Sequence, residues 1–192
     1  MNDKATLRRS LINKRQTMSS DEWRGKSDRL CQYLQHATFF QQATTILAYI
    51  SFRNEPDLTP LVQRDEHRWG FPRCVGKEME WHQWSPNGER PLHKGAFGIL
   101  EPDPQSPKLN PDQVDLILVP SVACDRQGYR LGYGGGFYDR MFSNSIWRRK
   151  PTIGIVFSDM LVDALPIDSW DYPLDAICTD HQCMVMNPTS MA

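Results

Sequence analysis

Arg130-Leu131-Gly132-Tyr133-Gly134-Gly135-Gly136-Phe137-Tyr138-Asp139-Arg140 places four glycines among the five residues from Gly132 to Gly136. Glycine loses more conformational freedom on ordering than any other residue, so such a run requires a reason. Upstream, Val114-Asp115-Leu116-Ile117-Leu118-Val119-Pro120 has the apolar, β-branched content of a buried strand, and downstream Phe137 to Phe142 can start a helix. Strand, glycine loop and helix start, in that order, let backbone N–H groups line a concavity at the positive end of a helix dipole, where a phosphate fits. Arg130 precedes the glycines and can clamp a phosphate, while Asp139 in the first helical turn can hold a metal bound to phosphates. A merely flexible loop is the plainer alternative, but such loops seldom join a buried strand to a helix. The spacing matches neither the dinucleotide fingerprint nor a P-loop, because the last glycine interval is wrong and no Lys-Ser/Thr pair follows.

Further buried strands are expected over Thr44 to Ser51, Pro151 to Phe157 and Ala176 to Thr179. Helical patterns alternate with them: an amphipathic stretch from Asp3 to about Met18, and a second helix that Ser19-Ser20-Asp21-Glu22 caps and that runs through Trp23, Leu30, Tyr33 and Leu34. This alternation predicts a three-layer α/β/α domain, Rossmann-like, with a mixed, largely parallel sheet and all 192 residues in a single domain. The loop Phe52-Arg53-Asn54-Glu55-Pro56-Asp57 then falls at a strand's C-terminal end, where open α/β sheets bind ligands. Thr59 is expected to cap a short helix with Pro60 at its first position. Ala123 to Gly135 reads as a long loop, a short helix follows Ser158, and Asn187 to Ala192 reads as a frayed tail. His82 and His93 read as ordinary strand or loop residues, and Trp81 and Trp84, which could stack on a flat ring, read first as core.

A net charge of −1 gives no general pull toward nucleic acid or an anionic membrane. The cysteines at 31, 74, 124, 178 and 183 lack CxxC spacing, which suggests neither a disulfide framework nor a zinc site and points to a reducing compartment. No apolar run approaches a membrane span and no signal-peptide core is visible. A soluble, cytoplasmic protein is therefore expected, and with no obvious exposed apolar helix to argue for more, a monomer.

In the first helix Lys4 and Arg8 stand at i and i+4 near the N-terminus, where like charges repel and the macrodipole disfavours cations. A solvated basic face with Arg9, Lys14 and Arg15 is the plain reading of these residues taken alone.

The motif Gly128-x-Arg130-Leu131-Gly132-x-Gly134-x-Gly136-Phe137-Tyr138-Asp139 resembles the signature of the 5-formyltetrahydrofolate cyclo-ligase family, and the resemblance extends from Lys4 to about Cys178. It implies an ATP-dependent cyclisation of 5-formyltetrahydrofolate to 5,10-methenyltetrahydrofolate, with ADP and phosphate released. Carried onto this chain, it implies nucleotide contacts from Lys4, Arg8, Arg130, Leu131, Gly132, Tyr133, Gly134, Gly135, Gly136, Phe137 and Tyr138. Folate contacts fall to Ile50, Glu55, Tyr133, Gly134, Gly135, Gly136 and Phe137, catalytic roles to Arg130 and Glu55, and Mg²⁺ to Asp139 and Asp175. Family members often continue the glutamate as Glu-x-Asp-Thr; here Pro56 stiffens the turn and Leu58 replaces the threonine. The residues by themselves leave open a sugar-phosphate isomerase, an acyl-CoA transferase-like enzyme or a silent phosphate-binding module.

Overall fold

The computed structural model describes residues 4–64 and 66–191. Asp3 and Ala192, the expected first residue of the first helix and last of the tail, lie outside the described residues. The helices are α1 (Lys4–Gln16), α2 (Ser20–Gln35), α3 (Thr38–Gln42), α4 (Thr59–Val62), α5 (Phe137–Ser143) and α6 (Ser145–Arg148). The strands are β1 (Thr45–Leu47), β2 (Arg68–Val75), β3 (Glu78–Gln83), β4 (His93–Lys94), β5 (Leu100–Glu101), β6 (Leu116–Pro120), β7 (Ala123–Asp125), β8 (Arg130–Leu131), β9 (Thr152–Ile155), β10 (Leu161–Val162), β11 (Ala176–Cys178) and β12 (Cys183–Val185).

Seven strands form the main sheet in the order β12-β11-β9-β6-β1-β2-β3. The five inner strands run parallel, and β12 and β3 close the two edges antiparallel. Alternation along the strands divides the core. Ile46, Leu116, Leu118, Ile153 and Ile155 pack with Leu30 and Leu34 of α2 and Phe40 of α3. Leu47, Ile117 and Val119 face the other way, onto Met141 and Phe142 of α5. With period-2 side chains buried on both faces, the strands read as continuous apolar runs, and the three layers follow. Truncating a residue such as Leu118, which is fully buried, to alanine removes about 2–5 kcal/mol of stability.

Several local expectations change on folding. Ser19 caps α2 as expected, its hydroxyl accepting from the Glu22 N–H at 3.1 Å. Thr59, however, is the first residue of α4 rather than its cap; Leu58 occupies the cap position, and Asp57 Oδ1 accepts the Thr59 N–H at 3.0 Å. Leu58 itself is buried in the core with α2, so the residue that departs from the family pattern serves packing. Ala123 to Gly135 is not a plain loop, because β7 and β8 pair antiparallel within it. Asp125 closes this hairpin: one carboxylate oxygen accepts the Gln127 and Tyr129 N–H groups, and the other accepts from Leu165. Gly128 turns there with φ +94°, and a Cβ would stand 2.7 Å from the Leu174 carbonyl, so only glycine fits. After Ser158 the chain makes one 3₁₀ turn before β10. β12 was not anticipated in the sequence, and its register sets Cys183 opposite Cys178, where the two are joined as a disulfide. This corrects the reading of the cysteines as unpaired: the hairpin register that joins them is not visible in their spacing. Trp81 is core, and buried His82 shares a hydrogen bond with the Ser106 carbonyl. Among the described residues, no helix is long and apolar enough to cross a membrane.

Candidate active site

The C-terminal ends of β1, β2 and β6 open onto a cleft of about 540 Å³, within the range of about 300–1,000 Å³ usual for small-molecule sites. Every predicted site residue except Asp175 lines it.

One wall is built by the segment that follows β1. Phe52 to Glu55 is a tight turn in which the Glu55 N–H donates to the Phe52 carbonyl at 3.1 Å. Its two central residues, Arg53 and Asn54, have φ of +50° and +57°. Asparagine tolerates this left-handed region, whereas for arginine it is strained backbone. The strain is held from three sides. Glu55 Oε2 accepts the Phe52 N–H at 2.9 Å, the Glu55 carbonyl accepts from Trp23 and Ser51, and the Arg53 carbonyl accepts from Arg15 at 3.0 Å. The turn aims the Glu55 carboxylate inward, where only 4 % of the residue stays exposed. Burial raises its pKa to about 7, against the opposing pull of Arg15, a hydrogen bond from Tyr133 and the Phe52 N–H. Pro56 contributes by its carbonyl, which accepts the hydroxyl of buried Tyr49 at 2.8 Å.

The glycine loop forms the facing wall. β8 delivers Arg130 and Leu131 into it, and Gly136 enters α5 with φ +68° after Gly134 at +91°. These two conformations account for glycine at both positions. Tyr133 reaches into the cleft, where its hydroxyl accepts a hydrogen bond from Arg15 and lies close enough to the Glu55 carboxylate to interact with it. Tyr138 is partly buried, and its enclosed hydroxyl has no hydrogen-bond partner among the described residues. A buried, unpaired hydroxyl costs about 1–3 kcal/mol, so a ligand group that meets it is favoured.

The cations of the site are each engaged within the protein. Arg130 is paired with Asp139, and its guanidinium lies 5.5 Å from the centre of the Tyr138 ring. Arg8 Nε donates to the Gly132 carbonyl at 2.6 Å, pinning α1 to the glycine loop. Lys4 Nζ stands 2.6 Å from both Asp168 and Asp171. Burial works to lower its pKa, but the hydrogen bonds to Asp168 and Asp171 outweigh it and hold the ammonium above its ordinary value. α1 has no acidic residue in its first turn, so these two aspartates offset the repulsion that the sequence predicts at its N-terminus.

Asp175 is not brought to the cleft. It immediately precedes β11, at the N-terminal end of the parallel strands, and its Oδ2 accepts from the Thr152 N–H and hydroxyl at 3.0 and 2.8 Å. The expected metal role for it is corrected accordingly: the carboxylate ties the starts of β9 and β11. No group of three His, Cys, Asp or Glu that could hold a metal occurs among the described residues. Asp139, half exposed in the cleft, fits Mg²⁺ in the one mode that needs a single carboxylate, in which phosphate oxygens and waters supply the other ligands. Arg15, Asp168, Asp171 and Tyr49 were not foreseen as parts of the site. For Arg15 a signal existed, since Lys4, Arg8 and Arg15 fall close to one face of an ideal helix.

The model of the 5-formyltetrahydrofolate cyclo-ligase family matches residues 1–180. A 5-formyltetrahydrofolate cyclo-ligase of Escherichia coli (strain K12) is 31% identical over 147 residues, 71% of this chain and 78% of that protein. The cyclo-ligase of Mycolicibacterium smegmatis is 27% identical over 95% of this chain and 96% of its own length. Among solved structures, the 5,10-methenyltetrahydrofolate synthetase of Aquifex aeolicus superposes with a TM-score of 0.82 at 34% identity, covering 95% of this chain and 92% of that one. With the glycine motif, the cleft and these relatives in agreement, the isomerase, transferase and silent-module readings fall away: the chain belongs to the 5-formyltetrahydrofolate cyclo-ligase family and is an enzyme of that family.

Proposed function

We propose that this enzyme cyclises 5-formyltetrahydrofolate to 5,10-methenyltetrahydrofolate at the expense of ATP, releasing ADP and phosphate. The observation that carries the proposal is the cleft's mixed chemistry: Lys4, Arg8, Arg130 and the glycine loop line the same cleft as the buried carboxylate of Glu55. A formamide oxygen is a poor leaving group, so N10 cannot displace it unaided. Attack of that oxygen on the γ-phosphorus breaks the bond to ADP and leaves an O-phosphorylated iminium carbon. N10 adds to this carbon, its proton passes to the Glu55 carboxylate, and the carbon–oxygen bond breaks to release phosphate and the methenyl product.

Phosphoryl transfer is mainly positioning and charge neutralisation, which matches the parts present. Arg130, Lys4 and Arg8 exchange their internal partners for phosphate oxygens, and the glycine loop lets the nucleotide approach the backbone. Asp139, together with the phosphates, would hold Mg²⁺, which would supply further neutralisation of the separating charges. Ile50, Tyr133 and Phe137 supply apolar surface for the folate, and the unpartnered Tyr138 hydroxyl meets a ligand acceptor. The test is to mix the purified protein with 5-formyltetrahydrofolate, ATP and Mg²⁺ and follow methenyl product and ADP together. One ADP per methenyl product is expected; product formation without ATP, or ADP formation that does not depend on the folate, refutes it.

A further inference from the structure

Arg15 is buried at 1 % exposure, the one residue of α1 in that class among the described residues. A guanidinium is always charged, and burying it unpaired is costly, so its partners indicate its purpose. They belong to three different segments. Nε donates to the Arg53 carbonyl in the strained turn, Nη1 donates to the Ser121 carbonyl beyond β6 at 3.4 Å, and Nη2 donates to the Tyr133 hydroxyl in the glycine loop. The same hydroxyl faces the Glu55 carboxylate and interacts with it. The planar fork therefore spans the turn that carries the carboxylate, the end of the central strand and the loop assigned to the phosphates.

We infer that Arg15 is a positioning residue for the cyclisation, fixing the Tyr133 hydroxyl between itself and Glu55 so that the carboxylate and the glycine loop share one geometry. The inference rests on the proposed role of Glu55 as acceptor of the N10 proton. The groups facing Glu55 are Arg15 from α1, Arg53 from its own turn, Tyr133 from the glycine loop, Tyr49 after β1 and Tyr138 from α5. Of these, Arg15 exerts the largest pull toward the ionised carboxylate, and the Tyr133 hydrogen bond acts in the same direction. Removing either makes Glu55 harder to ionise.

The test compares wild type with Arg15→Gln, Arg15→Lys and Tyr133→Phe by the pH dependence of kcat/KM for 5-formyltetrahydrofolate at saturating ATP. In parallel, the ¹³C carboxyl shift of Glu55 is titrated in each ligand-free protein. Arg15→Gln is expected to move the acidic limb and the ¹³C midpoint upward by about one pH unit. At neutral pH that leaves about a five-fold smaller ionised fraction. Tyr133→Phe moves both by less. Arg15→Lys keeps the charge but not the fork, so its limb stays near that of wild type while kcat falls at every pH. A structural role alone lowers activity without moving limb or midpoint, and unmoved limbs and midpoints in Arg15→Gln and Tyr133→Phe overturn the inference. Should Arg15→Gln fail to fold, Tyr133→Phe decides. A wild type that makes no methenyl product refutes the proposed reaction, and the ¹³C titration still judges the coupling of Arg15 to Glu55.

Discussion

The two walls of the cleft are built on opposite principles. On the glycine-loop side the cations are partly exposed and hold partners that a ligand can replace: Asp168 and Asp171 on Lys4, Asp139 on Arg130, and the Gly132 carbonyl on Arg8. On the Glu55 side the charges are buried and their partners are fixed: Arg15 is locked to two carbonyls and a tyrosine, and Glu55 to the N–H of its own turn. Exposed ion pairs are worth little and exchange readily, whereas buried ones resist rearrangement. On the proposed function, one wall would take charged ligands that come and go and the other would serve proton transfer at a preset geometry.

Substitutions on the two walls should therefore separate in kinetics. The largest effect is expected from Glu55→Gln, which keeps the shape and removes the base. kcat should fall by about 10²–10⁴-fold, the range for a lost general base, with KM for ATP nearly unchanged; a rise in that KM with kcat preserved would break the division. Next, Arg130→Ala should lower kcat/KM for ATP by about 10²–10³-fold, as for a lost donor to transition-state charge, while circular dichroism remains that of the folded protein. Lys4→Ala should act in the same direction by less, because Lys4 is the more exposed cation. Undiminished turnover in either variant would remove that residue from the site. Asp139→Asn should raise the Mg²⁺ concentration needed for half-maximal rate, about ten-fold for one lost carboxylate ligand, and an unchanged magnesium titration would tell against metal binding there.

A separate effect concerns stability rather than turnover. Burial raises the folded-state pKa of Glu55 to about 7, above the value of about 4.3 expected in an unfolded chain. The folded protein thus holds this proton more tightly than the unfolded chain does. The resulting stabilisation is complete below the unfolded pKa and is lost as pH rises through 7, up to about 4 kcal/mol. Glu55→Gln has no such dependence. Urea unfolding at several pH values should show the variant gaining on wild type between acid and mildly alkaline pH, and parallel curves would show that Glu55 is not held as its burial requires.

How much of this was legible depends on the range of the interactions involved. The glycine loop, Arg130 and Asp139 are contiguous, so a local pattern reveals them, and Lys4 and Arg8 announce themselves by breaking a helix rule at i and i+4. The parallel sheet was legible because both faces of its inner strands are apolar. Arg15 was read with the solvated basic face because periodicity cannot tell a buried arginine from an exposed one; only the arrival of the Phe52–Glu55 turn and Tyr133 covers it. The aspartates that hold Lys4 lie more than 160 positions away in sequence, beyond any local signal. The β7–β8 hairpin was hidden by its polar turn, Arg126-Gln127-Gly128, and the Cys178–Cys183 bond by a register visible only once β12 exists. Asp175 is a different case: standing just before a parallel strand, it belongs by strand direction to the edge away from the ligand, so the sequence already contained grounds to separate it from Asp139.

The central claim is that the cleft brings the formyl oxygen onto the γ-phosphorus between these two walls. It is tested most directly with 5-formyltetrahydrofolate carrying ¹⁸O in its formyl group, turned over with unlabelled ATP and Mg²⁺, by reading the label in the products. The account predicts one ¹⁸O atom in each inorganic phosphate released with a methenyl product. Unlabelled phosphate, with the ¹⁸O recovered in water, would contradict it.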